Sequence, residues 1–325
     1  MKYSYYPGCS LELNASAYDI SAKAVAKPVG LDLMEIDDWN CCGATEYISL
    51  NQLAAFSLIA RNLVKAKQQQ LGTLVAPCSA CFLNLIKVES YLTGSEKLRD
   101  KVNIAMQAGG MEYTPGGLKV RHLLDIFVND VGYEKIAELV TQPLKGLRIA
   151  PYYGCMIVRP VGEDAFDDPE YPITLDKLMQ VLGAKVVDFP LKAQCCGGHM
   201  TQISQPTAMD LLNRLLHNAS EYQADIIVTL CPMCQLNLDA YQNDVNKFFK
   251  TNYHIPVLYF TQLIGLAWGM KPEELGFGKE FISAAPVLKA KLGVEVPETE
   301  AEAGKKKRPS KEELPMPRMP GEAKE

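Results

Sequence analysis

The sequence predicts an α/β protein of two tandem homologous units, each a small, mostly parallel sheet flanked by helices, followed by a disordered C-terminal tail. Three observations predict it. All ten cysteines fall into one arrangement written twice: Cys9, Cys41-Cys42 and Cys78-Ser-Ala-Cys81, then Cys155, Cys195-Cys196 and Cys231-Pro-Met-Cys234. The intervals are 31 and 35 residues in the first copy and 39 and 34 in the second. Short apolar runs alternate with helical periodicity in the same order in both copies, the pattern of strands joined by crossover helices. From Pro297 the composition turns to Glu, Lys and Pro, which cannot bury a core.

The elements follow in order. In the first copy Lys2–Tyr6 reads as a strand, about Asn14 to Lys27 as a helix with Gly30 after it, and Leu31–Ile36 as a second strand. A helix from Asn51 to Gln70 closed by Gly72 leads to the strand Thr73–Ala76, and Leu118–Phe127 reads as a fourth strand and helix. The second copy repeats this: strand Leu147–Tyr153, helix Thr174–Leu182 ended by Gly183, strand Lys185–Phe189, helix Thr207–Tyr222, strand Ile226–Leu230, then Val257–Leu266. These readings place the units at residues 1–143 and 144–292, with the tail at 293–325. The tail carries Lys305-Lys-Lys-Arg308, but between 297 and 325 seven basic residues balance seven acidic ones.

The repeat extends past the cysteines. Tyr-Tyr-Pro-Gly-Cys9 answers Tyr-Tyr-Gly-Cys155, and Leu-Asn-Leu follows both Cys81 and Cys234, arguing for a helix running on from each C-x-x-C. Each cysteine group falls just beyond the carboxyl end of a strand. In an open parallel sheet those ends form one edge, where such sheets place their sites, so residues about 70 positions apart become neighbours.

With 48% hydrophobic and 22% charged residues and a net charge of −5, the 325-residue chain has the composition of a globular protein and no basic surplus for nucleic acid. No apolar run approaches the roughly 20 residues of a membrane span, and the opening residues lack the apolar core of a signal peptide. The chain is expected to be cytoplasmic and not an integral membrane protein. In a reducing compartment ten cysteines read as metal ligands or redox groups rather than disulfides.

Five thiolates per copy narrow the chemistry. A structural zinc takes four ligands and leaves one cysteine over, twice. A thioredoxin-like C-x-x-C uses only its own pair, and an ordinary cubane iron–sulfur cluster also takes four. A cluster that uses all five, one thiolate of the Cys-Cys pair bridging irons, fits the count best. Gly43, Gly197 and Gly198 admit close approach of bulky sulfide, and their N–H groups could donate to cluster sulfurs; the same glycines also suit plain turns.

The twice-written pattern with Cys-Cys-Gly at its centre resembles the cysteine-rich CCG domains, and two complete copies resemble the B-type subunit of heterodisulfide reductase over residues 1 to about 290. The resemblance implies two noncubane [4Fe-4S] clusters, one held by Cys9, Cys41, Cys42, Cys78 and Cys81, the other by Cys155, Cys195, Cys196, Cys231 and Cys234. It further implies a catalytic role in reducing a disulfide, of the coenzyme M–coenzyme B type or an analogue, to two thiols. The disulfide would lie between facing clusters, each delivering one electron and each iron site catching one thiolate. Partners would be the C-type iron–sulfur subunit and the A-type flavin-containing subunit of such a complex, since no G-x-G-x-x-G opens a helix after a strand here. The 34-residue interval before Cys231 is one shorter than the family's range, and the first copy reads Cys-Cys-Gly-Ala where the second reads Cys-Cys-Gly-Gly.

Other residues weigh less. His199, directly after Cys195-Cys196-Gly-Gly, is a candidate proton donor to a product thiolate, although a structural role serves equally. His122, His217 and His254 read as core-edge or helix residues. Arg159 and Lys192 flank the cluster loops as candidate attractors of an anionic substrate, and Tyr5, Tyr6, Tyr152 and Tyr153 read as strand packing. The competing function is an electron-transfer role within a flavin-dependent lactate, glycolate or glycerol-3-phosphate dehydrogenase, which also uses CCG domains; a zinc-stabilised interaction protein is a third.

Overall fold

A computed structural model describes residues 1–43, 47–159, 167–297 and 299. Two four-stranded sheets, wholly parallel, form its centre. The first comprises β1 (Lys2–Tyr5), β2 (Asp32–Glu35), β3 (Thr73–Ala76) and β4 (Lys119–His122) in the order β2-β1-β3-β4. The second comprises β5 (Arg148–Tyr152), β6 (Lys185–Val186), β7 (Ile226–Thr229) and β8 (Val257–Tyr259) in the order β6-β5-β7-β8. The spatial permutation is identical, as a duplicated unit requires.

Parallel pairing needs a crossover, and the helices supply it. Ser16–Ala26 links β1 to β2 and Gln52–Gln68 links β2 to β3; Thr174–Val181 and Gln205–Glu221 do the same in the second unit. With helices on both faces the central strands are largely buried, every residue of β7 among them. The outermost strands differ. β2 is largely exposed, and β6 keeps two residues of the five expected. It pairs on one side only, and the chain turns at Phe189, where the Lys192 N–H reaches the Phe189 carbonyl at 3.1 Å.

Each C-x-x-C is followed by a helix, Ser79–Gly94 and Pro232–Ala240, as the shared Leu-Asn-Leu predicts. After β4 the chain enters Leu123–Asp125 and widens into a π-helix, Ile126–Gly132, before Tyr133–Glu138. Three further helices of eight residues or more, Glu96–Gln107, Gln242–Phe249 and Ala285–Leu292, have no sequence expectation. Ala285–Leu292 ends at Gly293 in the left-handed conformation (φ 67°), and Val294 and Val296 still pack on the core. Residues 298 and 300–325, the greater part of the expected tail, lie outside the described residues.

The two units share a core. Ser16–Ala26 packs on Phe260–Ala267 of the second unit, where the Tyr18 and Tyr259 rings stack with centroids 4.3 Å apart. Ser21 and Thr261 hydroxyls meet at 2.6 Å, and Trp268 Nε1 donates to the Ile136 carbonyl at 3.1 Å. Gly276 lies so close to Ala17 that a Cβ on it would stand 2.8 Å from the Ala17 Cα, with φ at +72° besides. One continuous hydrophobic cluster includes residues of β1, β3, β5, β7 and β8. The sheets are thereby held in a fixed relation, their loop edges brought together.

Candidate metal centres

The first set is built at the carboxyl ends of β2, β1 and β3. β1 ends, and Gly8 (φ +73°) turns the chain so that Cys9 starts a short helix, Cys9–Glu12. The turn leaves no room for a side chain, because a Cβ on Gly8 would stand 3.0 Å from the Cys81 Sγ. Cys41 comes to the same place, its Sγ 3.9 Å from that of Cys9. The Cys41-Cys42 loop is braced from below: the buried Tyr6 hydroxyl donates to the Asn40 carbonyl at 2.7 Å. Asn62 holds Asn40 as well, accepting its N–H at 3.0 Å and donating to its carbonyl at 2.9 Å. From the C-x-x-C helix, Asn84 Nδ2 donates to the Cys42 carbonyl at 3.1 Å and lies 3.8 Å from its Sγ. Cys78 is the N-cap of that helix, where the macrodipole favours thiolate.

The second set repeats each device. Gly154 (φ +68°) precedes Cys155, and a Cβ there would stand 2.8 Å from the Cys234 Sγ. Tyr152 donates to the Gln194 carbonyl at 2.7 Å, one residue before the Cys-Cys pair, as Tyr6 does for Asn40. Asn237 donates to the Cys196 carbonyl at 3.2 Å and the Gly198 carbonyl at 2.8 Å, and lies 3.6 Å from the Cys196 Sγ. Cys231 caps the helix Pro232–Ala240, and the Gly197 N–H donates to the Cys195 Sγ at 3.3 Å. Gly197 and Gly198 both have positive φ, at 92° and 52°. In each set three thiols are buried, Cys42, Cys78 and Cys81 or Cys196, Cys231 and Cys234.

The thiols bond to one another. Cys9 is pushed above the ordinary thiol range first by its bond with Cys41, then by burial. Cys155 is pushed up in the same way by Cys195. Cys195, the acceptor of Cys155 and Cys196, is drawn down to about 2, helped by the Gly197 N–H and the Arg159 charge. Cys196, the donor, rises to about 12. Burial is the largest cause raising Tyr6, and the four thiols Cys81, Cys42, Cys41 and Cys9 add to it; Tyr152 sits likewise amid Cys234, Cys196, Cys195 and Cys155. The two sets also meet: Cys78 is raised foremost by a hydrogen bond with Cys231, across the boundary between the units.

The remaining candidates separate. Lys192 is a correction: it is 1% exposed and cannot greet a substrate. Its ammonium bonds Asp176 at 3.0 Å and lies over the Tyr171 ring at 3.8 Å, while Asp176 also accepts the Tyr153 hydroxyl at 2.5 Å. Arg159 is exposed, and its charge lowers both Cys155 and Cys195. His199 is half-buried as the N-cap of Met200–Ile203 and is absent from the residues lining the cavity of the second set. His122 is fully buried and held down to about 4 by that burial, its Nδ1 accepting the Leu124 N–H at 3.1 Å. His217 pairs with Glu221 on the surface, and His254 is exposed. Sequence reasoning gives no site role to the braces Tyr6, Tyr152, Asn84 and Asn237. Their one signal is the repetition of Tyr and Leu-Asn-Leu at fixed offsets from the cysteines.

Among the described residues no three His, Cys, Asp or Glu side chains converge as on a single metal ion. The donor set suits a larger thiophilic group. It offers five sulfurs, no carboxylate or imidazole among them, and a glycine that clears the space beside the last sulfur of each set. The second set closes on a cavity of about 20 Å³ lined by all five of its cysteines with Ser79, Tyr153, Met156, Gly198 and Met233.

The sequence pattern of the cysteine-rich domain CCG matches residues 3–86 and 149–239. The 8-methylmenaquinol:fumarate reductase membrane anchor subunit of Wolinella succinogenes is 35% identical over 87% of this chain and 98% of its own. The B-type subunit of the ferredoxin/F(420)H(2)-dependent CoB-CoM heterodisulfide reductase of Methanosarcina acetivorans is 30% identical over 86% of this chain and 94% of its own. A protein of Archaeoglobus profundus, named as like the same heterodisulfide reductase component, is 29% identical over 85% and 93%. A crystal structure of a hypothetical protein from Helicobacter pylori shares the fold at a TM-score of 0.67 and 15% identity, over 87% of this chain, which spans 52% of that one. Among the described residues no helix is long and apolar enough to cross a membrane. The chain belongs to the family of the cysteine-rich CCG domain, which it carries twice.

Proposed function

We propose that this chain is the catalytic subunit of a heterodisulfide reductase-type complex, reducing a disulfide of the coenzyme M–coenzyme B type or an analogue to two thiols. Cys9, Cys41, Cys42, Cys78 and Cys81 would hold one noncubane [4Fe-4S] cluster, and Cys155, Cys195, Cys196, Cys231 and Cys234 the other. The observation that carries this is that the two sets adjoin: Ser79 of the first C-x-x-C lines the cavity of the second set, and Cys78 lies against Cys231. Breaking one disulfide takes two electrons, and two adjoining one-electron sites supply them without a free radical product. When bound, the clusters would provide those electrons and a Lewis-acidic iron for each thiolate.

The chain's own residues prepare the setting. Tyr6 and Tyr152 fix the Cys-Cys loops from beneath, and Asn84 and Asn237 fix the second cysteine of each pair. Burial of three thiols per set keeps water from the junction, and Arg159 supplies positive charge at the rim of the second set. His199, half-buried beside the Gly197-Gly198 turn, would deliver a proton to a product thiolate. Electrons would enter from an iron–sulfur partner served by a flavin-containing one, in the cytoplasm.

A second reading has its own support. The 35% identity to a component of a menaquinol:fumarate reductase favours an electron-transfer role, carrying electrons between partners without meeting a disulfide. Anaerobically purified protein decides between them. Iron and acid-labile sulfide are expected in both, and zinc without sulfide overturns both. Reduction of coenzyme M–coenzyme B heterodisulfide by a dye donor, with a thiol-dependent EPR signal, supports the first. Reoxidation by fumarate in the complex, with no response to any thiol or disulfide, supports the second and overturns the first.

A further inference from the structure

Among the buried side chains whose polar atom has no hydrogen-bond partner, Ser79 alone of those described lines a thiol set. It belongs to the first unit, between Cys78 and Cys81, yet it faces the cavity of the second, with Cys155, Cys195, Cys196, Cys231 and Cys234. Ser79 is 1% exposed. A buried hydroxyl left unpaired is costly, and no protein group meets this one. It opens instead onto a space walled by sulfur. The equivalent position of the second C-x-x-C is Pro232, which offers no donor in return. The duplicated sites are therefore unequal at the point where they touch.

We propose that the Ser79 hydroxyl is a hydrogen-bond donor, across the unit boundary, to a sulfur of the cluster held by the second set, raising that centre's reduction potential above the first. The inference rests on the two-cluster reading above. The physical reason is charge: reduction adds an electron to the cluster, and an O–H dipole pointed at a sulfur stabilises the more negative state. Pro232 gives the first centre no matching help. The electron then rests preferentially on the second centre, inside the closed cavity rather than at the open rim of the first.

The test is a potentiometric titration of the full chain, loaded and anaerobic, followed by EPR, with Cys196→Ser used to identify the second centre's signal. In Ser79→Ala the second centre should show about a tenfold lower ratio of reduced to oxidised form at a fixed potential, ~59 mV for one electron, and the first should not move. Ser79→Thr, which keeps the hydroxyl, should restore the native value. A coupling to an exchangeable proton, seen by pulsed EPR after transfer to deuterated buffer, should be present at the second centre and lost in Ser79→Ala. Should Ser79→Ala fail to load, Ser79→Gly, which also removes the hydroxyl, should show the same lowering; a native potential in Ser79→Gly overturns the proposal. Unchanged potentials with full iron and sulfide content in Ser79→Ala overturn it too, leaving the two-cluster reading intact. Absence of sulfide from the native protein defeats that reading itself.

Discussion

The two cysteine sets are held by the same parts and surrounded by different ones. In both, a left-handed glycine clears the last sulfur, a tyrosine hydroxyl braces the Cys-Cys loop and an asparagine from the C-x-x-C helix fixes the second cysteine. Around the first set, however, Cys9 and Cys41 open into a cleft of about 620 Å³ lined by Glu12, Glu35, Asp37, Asp38 and Trp39. Around the second the cavity shrinks to about 20 Å³, walled by Tyr153, Met156, Met233 and Ser79. The holding parts answer the needs of five thiolates, which are the same twice. The surroundings set solvent access and charge, and there the two sets differ.

The largest effect should come from the glycine. At positive φ an alanine costs about 1–2 kcal/mol, and its Cβ would in addition press on a sulfur at 2.8 Å in Gly154→Ala and 3.0 Å in Gly8→Ala. Gly154→Ala should therefore empty the second centre, roughly halving iron and acid-labile sulfide per chain while leaving the first centre's EPR signal. Gly8→Ala should do the converse, less completely because the first set is more open. Loss of both centres from either variant would show that the two sets load as one unit.

Next come the tyrosine braces, which should break the likeness between the copies. Tyr152 holds the Gln194 carbonyl, whereas Asn62 supports Asn40 alongside Tyr6. Removing a buried hydrogen bond costs about 1 kcal/mol and more when the acceptor is left unpaired. Tyr152→Phe should lower stability by about 1–2 kcal/mol in denaturant unfolding, and Tyr6→Phe by less than ~1 kcal/mol. Equal losses would mean that Asn62 contributes nothing to holding Asn40.

These braces mark what was legible in the sequence and what was not. Strand periodicity located β3 to the residue, and the spacing of the cysteines located every cysteine group beyond a strand end. Contacts between residues far apart in sequence left no such trace. Tyr6 meets Asn40 across 34 residues and Tyr152 meets Gln194 across 42, and neither bond has a local signature. Lys192, in a turn, reads as a surface cation because its partner Asp176 lies 16 residues before it in the helix Thr174–Val181. Glu96–Gln107 buries only Val102 and Met106, too thin an apolar stripe for periodicity to register. The asymmetry between the sites is visible in the sequence as Cys-Cys-Gly-Ala against Cys-Cys-Gly-Gly and as Ser79 against Pro232, and a hydroxyl gains meaning only from the cavity it faces.

A pH dependence should separate the two C-x-x-C helices. Asp239, at the end of Pro232–Ala240, accepts the Phe281 and Ile282 N–H groups at 2.8 and 2.9 Å, yet burial dominates and holds its carboxyl up at about 7. The sign follows from proton binding. The folded state holds this proton more tightly than the unfolded chain, where an aspartate titrates near its ordinary value of 3.8. Folding is thus favoured at low pH, and that contribution is lost as pH rises from about 4 to about 7. Asp239→Asn should flatten this part of the stability profile. A profile unaltered between those limits would mean that Asp239 stays ionised in the fold.

The smallest effect concerns the acidic rim of the first cleft. Glu12 and Asp37 line it with Cys9 and Cys41 at its floor, and both are exposed, so their charges act through solvent and are screened beyond about 10 Å at 0.1 M salt. Negative charge near a centre opposes adding an electron, the reverse of a hydroxyl donor. Glu12→Gln with Asp37→Asn should raise the first centre's potential slightly at low ionic strength and hardly at all at physiological salt, leaving the second unmoved. A salt-independent shift would require charge acting through the protein interior. A shift at the second centre instead would mean that the 620 Å³ cleft serves both sites and that the difference between them lies in Ser79 alone.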